Sequence, residues 1–340
     1  MIAAQLQRPY LLFLGDASSD LDAKTGHGLS FWRRDDCVGQ LRLAHCRADT
    51  GLPDMDIEQA LASGARSLVI AVAPSGGAIK ADWVPTLVLA LESGLDVISG
   101  MHTALSSVSV LSLASARSGA RLVDVRVAPR NIPLATGKRR SGKRVLMVGT
   151  DCCVGKKYTA LALHRAMLNA EIDTTFRATG QTGIMIAGEG IPMDAVVSDF
   201  LPGAAEMLSP DNEPDHWDVI EGQGSLFHPA YAAVCLGLLH GSQADALILC
   251  HQAGRAEIDD YPGYAIPALR DCIAFYLDAA KLTNPDVRFA GLSINTRHMG
   301  DTQRQILLTK ISDEAELPCV DPLATGVRPL LDSLLDVRIR

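Results

Sequence analysis

Apolar and polar positions fall into blocks along this chain that predict strand and helix in turn. The run PYLLFLG at 9–15 reads as a buried strand, and the mixed segment from Asp16 to Gly28 reads as loop. A helical period from Asp56 to Ser63 leads into the apolar run SLVIAVAP at 67–74, after which PSGGAIK at 74–80 reads as loop. A helix over PTLVLALESG, a strand over LDVISG, a helix from Ser106 to Ser118 and a short strand RLVDVRV follow. Strand and helix alternating at this pitch specify a parallel sheet of Rossmann-like topology.

Between Ala128 and Lys143 the pattern dissolves into APRNIPLATGKRRSGK, rich in Pro, Gly and basic residues as inter-domain linkers are. The expected division is a domain over 1–138 and a second over 139–340. The second half predicts strands at RVLMVG, DVIEG, ADALILC, VRFAGLSIN and LPCV with helical stretches between them, again an α/β arrangement. A length of 340 residues suits two cores, and no repeat of fixed period runs through them.

Composition narrows the function classes. With 48% apolar and 21% charged residues the chain is an ordinary globular one. A net charge of −8 with scattered Lys and Arg offers no footprint for nucleic acid. The apolar stretch near the start is too short for a signal peptide, and no run approaches the roughly 18 apolar residues of a membrane span, so a cytoplasmic location without membrane is expected. The eight cysteines form no C-x-x-C pair, which argues against disulfides and structural zinc; no metal is expected. A small-molecule substrate and a homo-oligomeric assembly complete the expectation.

One stretch carries specific chemistry. RVLMVG, TDCCVG and KKYTALALHRAMLNA read as strand, glycine loop and helix, and they fit G-x-x-x-x-G-K. Gly149, Thr150, Asp151, Cys152, Cys153, Val154, Gly155, Lys156, Lys157, Tyr158 and Thr159 are therefore the expected cofactor-binding residues. Glycines let backbone N–H groups converge on one concavity, the helix start adds partial positive charge, and Lys156 adds a full one; phosphate suits all three. The position after Lys156 holds Lys157, where nucleotide hydrolases carry the Ser or Thr that binds Mg²⁺, and the nearest hydroxyl is Thr159. A second lysine there suits phosphates that arrive without a metal, as in coenzyme A.

Other polar groups fall at strand ends, where open α/β sheets bind ligands. Glu221 and the glycines of E-G-Q-G-S-L-F-H-P follow one strand, with His228 seven residues on. Arg177 precedes ATGQTG, and His251, Arg255, Asn295, Arg297 and His298 follow two further strands. Asp199 stands among apolar residues, either as a helix cap or as a buried functional carboxylate. In the first domain Lys24 and Thr25 lie among the loop residues after the first strand.

G-T-D-C-x-V-G-K-K at 149–157, E-G-Q-G-S-L-x-H-P at 221–229 and the Asp20, Ala23, Lys24, Thr25, Gly28, Leu29 pattern resemble a family of two-domain proteins catalogued as a domain of unknown function. The resemblance covers nearly the whole chain. It implies a Rossmann-like half followed by a P-loop half related to dethiobiotin synthetase. It also implies the activity of the DgcN-type D-glutamate N-acetyltransferases within that family, which use acetyl-CoA and work beside an N-acetyl-amino-acid racemase. NAD is not expected, since no G-x-G-x-x-G follows the first strand.

On that basis the P-loop is expected to hold coenzyme A phosphates, and Lys24, Thr25, Arg177, Arg255, Asn295 and Arg297 to contact substrate. The base that frees the amine is expected among Glu221, His228 and Asp199, with Glu221 first. Two alternatives stay open: a ligase or kinase-like enzyme using ATP with Mg²⁺ on the dethiobiotin synthetase pattern, and a nucleotide-binding accessory protein without turnover.

Overall fold

The computed structural model describes residues 2–3, 6–73 and 76–336, in two compact α/β units. The first unit takes residues 2–128 together with 180–192. Its strands are β1 (Ile2–Ala3), β2 (Tyr10–Gly15), β3 (Cys37–Arg42), β4 (Ser67–Ile70), β5 (Asp96–Ser99) and β6 (Leu122–Asp124). Its helices α1 (Lys24–Trp32), α2 (Ile57–Ala62), α3 (Val84–Glu92) and α4 (Ser109–Ser118) fall between them. Strands β2 to β6 form one parallel sheet in the order β3-β2-β4-β5-β6. β2 and β4 are buried along their whole length, as expected of central strands covered on both faces. Asp56 caps α2 by accepting from the Gln59 N–H while Gln59 reaches back to the Asp56 N–H, a reciprocal capping box.

Two elements of this unit depart from the expectation. Helix α1 starts at Lys24, inside the segment read as loop. Its glycines hid it, for Gly26 packs so closely that a Cβ there would meet Leu14 Cδ2 at 2.9 Å and the Ala71 carbonyl oxygen at 3.3 Å. Close backbone approach therefore replaces the apolar side chains by which a helix is read. Strand β3 was not expected either; it is an edge strand, and CVGQLR alternates too weakly to announce itself. Of the loop at 74–80, Pro74 and Ser75 lie outside the described residues.

The second unit takes residues 129–179 and 193–336 of those described. It opens with β7 (Lys143–Gly149), α5 (Lys156–Asn169) and β8 (Thr174–Arg177). The chain then passes into the first unit, forming α6 (Gln181–Ala187) and β9 (Glu189–Gly190), which pairs antiparallel with β1. Returning at Met193, it continues through α7 (Leu201–Leu208), β10 (Trp217–Ile220), α8 (Ala232–Ser242), β11 (Ala246–Gln252), α9 (Leu269–Lys281), β12 (Arg288–Asn295), α10 (Asp301–Ala315), β13 (Cys319–Val320) and α11 (Arg328–Leu335). All six strands of this unit run parallel in the order β13-β12-β11-β7-β10-β8. β7 thus lies between β10 and β11, so three glycine-rich or polar strand ends emerge side by side. Strand β8, sequence TTFR, was not expected; an edge strand half made of threonine gives no apolar run to read.

Candidate phosphate-binding and catalytic site

The loop after β7 owes its shape to two residues in left-handed backbone. Gly155 has φ 111°, which a glycine adopts freely, and Cys153 has φ 56°. Gly155 is the N-cap of α5, so the first amides of a 14-residue helix face the concavity. Lys156 is buried, and its Nζ donates to the Asp151 carbonyl oxygen at 2.7 Å across the mouth of the loop. A phosphate entering the cradle must offer that ammonium a better acceptor.

Asp151 anchors the loop from below and is fully buried. Its Oδ1 accepts from the Cys152 N–H at 2.6 Å, and its Oδ2 accepts from Arg255 Nη1 at 2.7 Å and the Asp259 N–H at 2.9 Å. Arg255 also donates to the Cys152 carbonyl oxygen and to Gln252 Oε1. The loop following β11 therefore braces the phosphate loop through one matched charge pair. Thr150 adds a second tie between the same loops, with its Oγ1 2.8 Å from His251 Nδ1. Burial, and next the Arg255 charge, push the His251 imidazole down to about 4, so it stays neutral near pH 7.

Thr159, the hydroxyl expected nearest to a metal position, is buried and turned inward. It donates to the Gly155 carbonyl oxygen and lies 2.8 Å from Ser293 Oγ on β12. Lys157, half-buried, places Nζ 5.3 Å from the centroid of the Tyr158 ring instead.

Glu221 ends the region of β10 beside this loop and is 4% exposed. Its Oε2 accepts from the Thr179 N–H at 3.0 Å, while its backbone carbonyl accepts from Thr179 Oγ1 at 2.8 Å. Gly222 permits the close approach: a Cβ there would fall 1.7 Å from the Met147 carbonyl oxygen and 3.0 Å from Lys156 Cδ. Only a glycine lets the strand end turn across β7 towards the lysine.

His228 is also buried, and its pKa is lowered, chiefly by that burial. Its Nδ1 accepts from the Ala230 N–H at 3.1 Å, so the neutral ring carries its proton on Nε2. That Nε2 lies 4.0 Å from Asp151 Oδ1. Asp151, Cys152 and His228 offer ligand-type atoms within 4.8 Å of one another. The carboxylate of that group already accepts from three N–H donors, Arg255 included, so its charge is matched from within the chain.

Arg177 is 6% exposed and its Nε donates to Asp218 Oδ1 at 2.7 Å, where Ser209 Oγ also donates to the same carboxylate. Its carboxylate partner is thus part of the core, as Asp151 is for Arg255. Asn295 Oδ1 accepts from the Arg297 N–H, and Arg297 Nε donates to His298 Nε2. Asp199 is exposed in a 3-10 turn ahead of α7, so of the two readings left open for it, helix cap or buried carboxylate, the buried one does not hold, and neither that turn nor α7 has a side-chain cap. In the first unit Lys24 is exposed and Thr25 is buried, with its hydroxyl 3.0 Å from Thr182 Oγ1.

Sequence reasoning missed Tyr276. From α9 its hydroxyl donates to the Gly149 carbonyl oxygen at 2.7 Å and accepts from the Leu226 N–H at 3.2 Å, tying the phosphate loop to the Glu221 loop. A tyrosine on the apolar face of an amphipathic helix reads as core packing, and nothing in the sequence distinguishes it.

Comparisons with known proteins place this geometry in context. Residues 133–331 match the DUF1611 C-terminal domain of unknown function, described as a P-loop domain, and residues 36–128 match the DUF1611 N-terminal, Rossmann-like domain. A protein of Tritonibacter scottomollicae named D-glutamate N-acetyltransferase is 47% identical over 98% of this chain and 100% of its own length. One of a Pseudoalteromonas species with the same name is 44% identical over 97% of this chain and 99% of its own. The crystal structure of a DUF1611 family protein from Anabaena variabilis superposes with a TM-score of 0.86 at 31% identity, covering 96% of this chain and 99% of that one.

Proposed function

Because this chain belongs to the DUF1611 family of two-domain Rossmann-like and P-loop proteins, we propose that it is a D-glutamate N-acetyltransferase that takes its acetyl group from acetyl-CoA. The names of the two full-length relatives support the activity. The observation that carries the choice of donor is the phosphate loop itself, in which Lys157 stands at the metal-hydroxyl position and Thr159 turns its hydroxyl into the core. Such a cradle suits a diphosphate neutralised by lysine rather than by Mg²⁺.

On this reading the cradle amides and Lys156 hold the diphosphate of the donor. Glu221 takes a proton from the substrate ammonium, and the freed amine attacks the thioester carbonyl carbon. A C–N bond forms, the C–S bond breaks, and the coenzyme A thiolate leaves and is protonated. The Nε2–H of His228 is a donor, suited to the developing oxyanion and not to removing a proton. The product is an N-acetylated amino acid, the kind of compound on which an N-acetyl-amino-acid racemase acts.

The test is incubation with acetyl-CoA and D-glutamate, following thiol release and N-acetylglutamate together, with EDTA present and absent. Equal turnover in both conditions is expected. Magnesium-dependent ADP release from ATP, with no thiol release from acetyl-CoA, would give precedence to the ligase reading.

A further inference from the structure

His228 stands between two tyrosines. Tyr231, three residues on, has its ring centroid 4.4 Å from the imidazole and its plane inclined by 35°, and Tyr261, from the loop after β11, makes a T-shaped contact at 5.0 Å and 75°. Tyr264 meets Tyr261 in turn, at 6.0 Å and 84°. The segment carrying these last two rings is tied by its own backbone. The carbonyl of buried Ile258 accepts from the Tyr261 N–H at 3.1 Å, its N–H donates to the Tyr264 carbonyl at 2.9 Å, and the Ile266 N–H donates to the Ala256 carbonyl at 2.8 Å. Two residues before Tyr261, the Asp259 N–H donates to Asp151 Oδ2. The carboxylate under the phosphate loop therefore also holds the loop that presents Tyr261 to His228.

The bond from the Ala230 N–H to Nδ1 fixes one point of the imidazole and leaves its plane to be set by something else. The two tyrosine rings set it, because a stacked contact and an edge contact resist tilting in different directions. Held in this way, Nε2 lies 4.0 Å from Asp151 Oδ1, beyond hydrogen-bond reach, so its proton is not committed to that carboxylate. We infer that Tyr261 is a positioning residue for acetyl transfer, keeping the His228 Nε2–H aimed at the thioester oxygen through ring contact alone. A donor to a developing oxyanion is effective when its orientation is set before the charge appears. The inference rests on the acetyl-transfer reading above, in which His228 is that donor.

Acetyl transfer from acetyl-CoA to D-glutamate by Tyr261→Ala, Tyr261→Phe, His228→Asn and the His228→Asn, Tyr261→Ala pair tests it. Tyr261→Ala lowers kcat about tenfold, less than the roughly 10²–10³-fold of losing an oxyanion donor outright, with both KM values within about twofold of the wild type. Tyr261→Phe keeps the ring and a near-normal kcat. The paired variant is no slower than His228→Asn alone, since the tyrosine acts through that histidine. NMR of histidine rings labelled at nitrogen, with His228→Asn to assign the signal, finds one Nε2–H tautomer in the wild type and in Tyr261→Phe, and a mixture in Tyr261→Ala. Tyr261→Leu takes the place of the alanine variant if that one does not fold. A wild-type kcat in folded Tyr261→Ala, a rise in KM alone, an equal loss in Tyr261→Phe or additive losses in the pair overturn the positioning role and leave the acetyltransferase reading standing. An unchanged kcat in His228→Asn removes the oxyanion role and the positioning with it. A wild type that transfers no acetyl group removes the acetyltransferase reading, and the tautomer then decides whether Tyr261 positions His228: unchanged in Tyr261→Ala, it overturns that as well.

Discussion

Arg255 Nη1 lies 2.7 Å from Asp151 Oδ2, and this pair joins the loop after β11 to the phosphate loop after β7. Asp151 is fully buried, so its charge depends on that partner. Removing the guanidinium leaves an uncompensated carboxylate under the cradle, which costs about 3–5 kcal/mol when a buried pair is broken. Arg255→Ala is therefore expected to lower the denaturation midpoint and weaken cofactor binding together. An Asp151→Asn, Arg255→Gln double variant should recover much of the stability, which denaturant titration would register. A single variant as stable as the wild type would show the pair to be dispensable.

Glu221→Gln keeps the shape and the acceptor oxygen that holds the Thr179 N–H while removing basicity. We expect kcat to fall by about 10²–10⁴-fold with coenzyme affinity nearly unchanged. Near-normal kcat in the folded variant would exclude Glu221 as the base.

Direct transfer is expected even though Cys152, in the phosphate loop, lies in one group with Asp151 and His228. The Ala230 N–H occupies the lone pair of Nδ1 and fixes the imidazole proton on Nε2, the nitrogen 4.0 Å from Asp151 Oδ1, so the neutral ring has no free lone pair with which to deprotonate a thiol. Cys152→Ala with Cys153→Ala should retain most of the activity. Intact-protein mass spectrometry of the wild type with acetyl-CoA and no acceptor should find no acetyl adduct; an accumulating adduct would reverse the assignment.

Stability should fall with acid in a specific window. His251 titrates at about 4 in the folded chain against an ordinary 6.5, so the unfolded state binds more protons between those values. The neutral imidazole's contribution is fully present above about 6.5, declines as the pH drops, and is gone near 4. The lowered pKa of His228 acts in the same direction. His251 accounts for about 3 kcal/mol across the window. His251→Asn should flatten the stability profile there, as chemical denaturation at stepped pH would show.

The sequence by itself determined the two α/β units, the phosphate loop and the position of Glu221 at a strand end. It could do so because buried parallel strands are written as continuous apolar runs, and because a phosphate cradle needs its glycines and lysine at fixed spacing within one segment. Edge strands β3 and β8 were not legible, since pairing on one side requires little apolar sequence, and α1 was concealed by glycines chosen for close approach. Tertiary structure alone decided which polar groups remain available. Arg177 and Arg255 look alike at strand ends, yet each finds a carboxylate from a distant segment, Asp218 and Asp151. Tyr276 and the inward turn of Thr159 were settled in the same way, because a side chain's hydrogen-bond partner depends on which strands lie side by side. That neighbourhood is fixed by the sheet order β11-β7-β10 and by nothing local to any one of them.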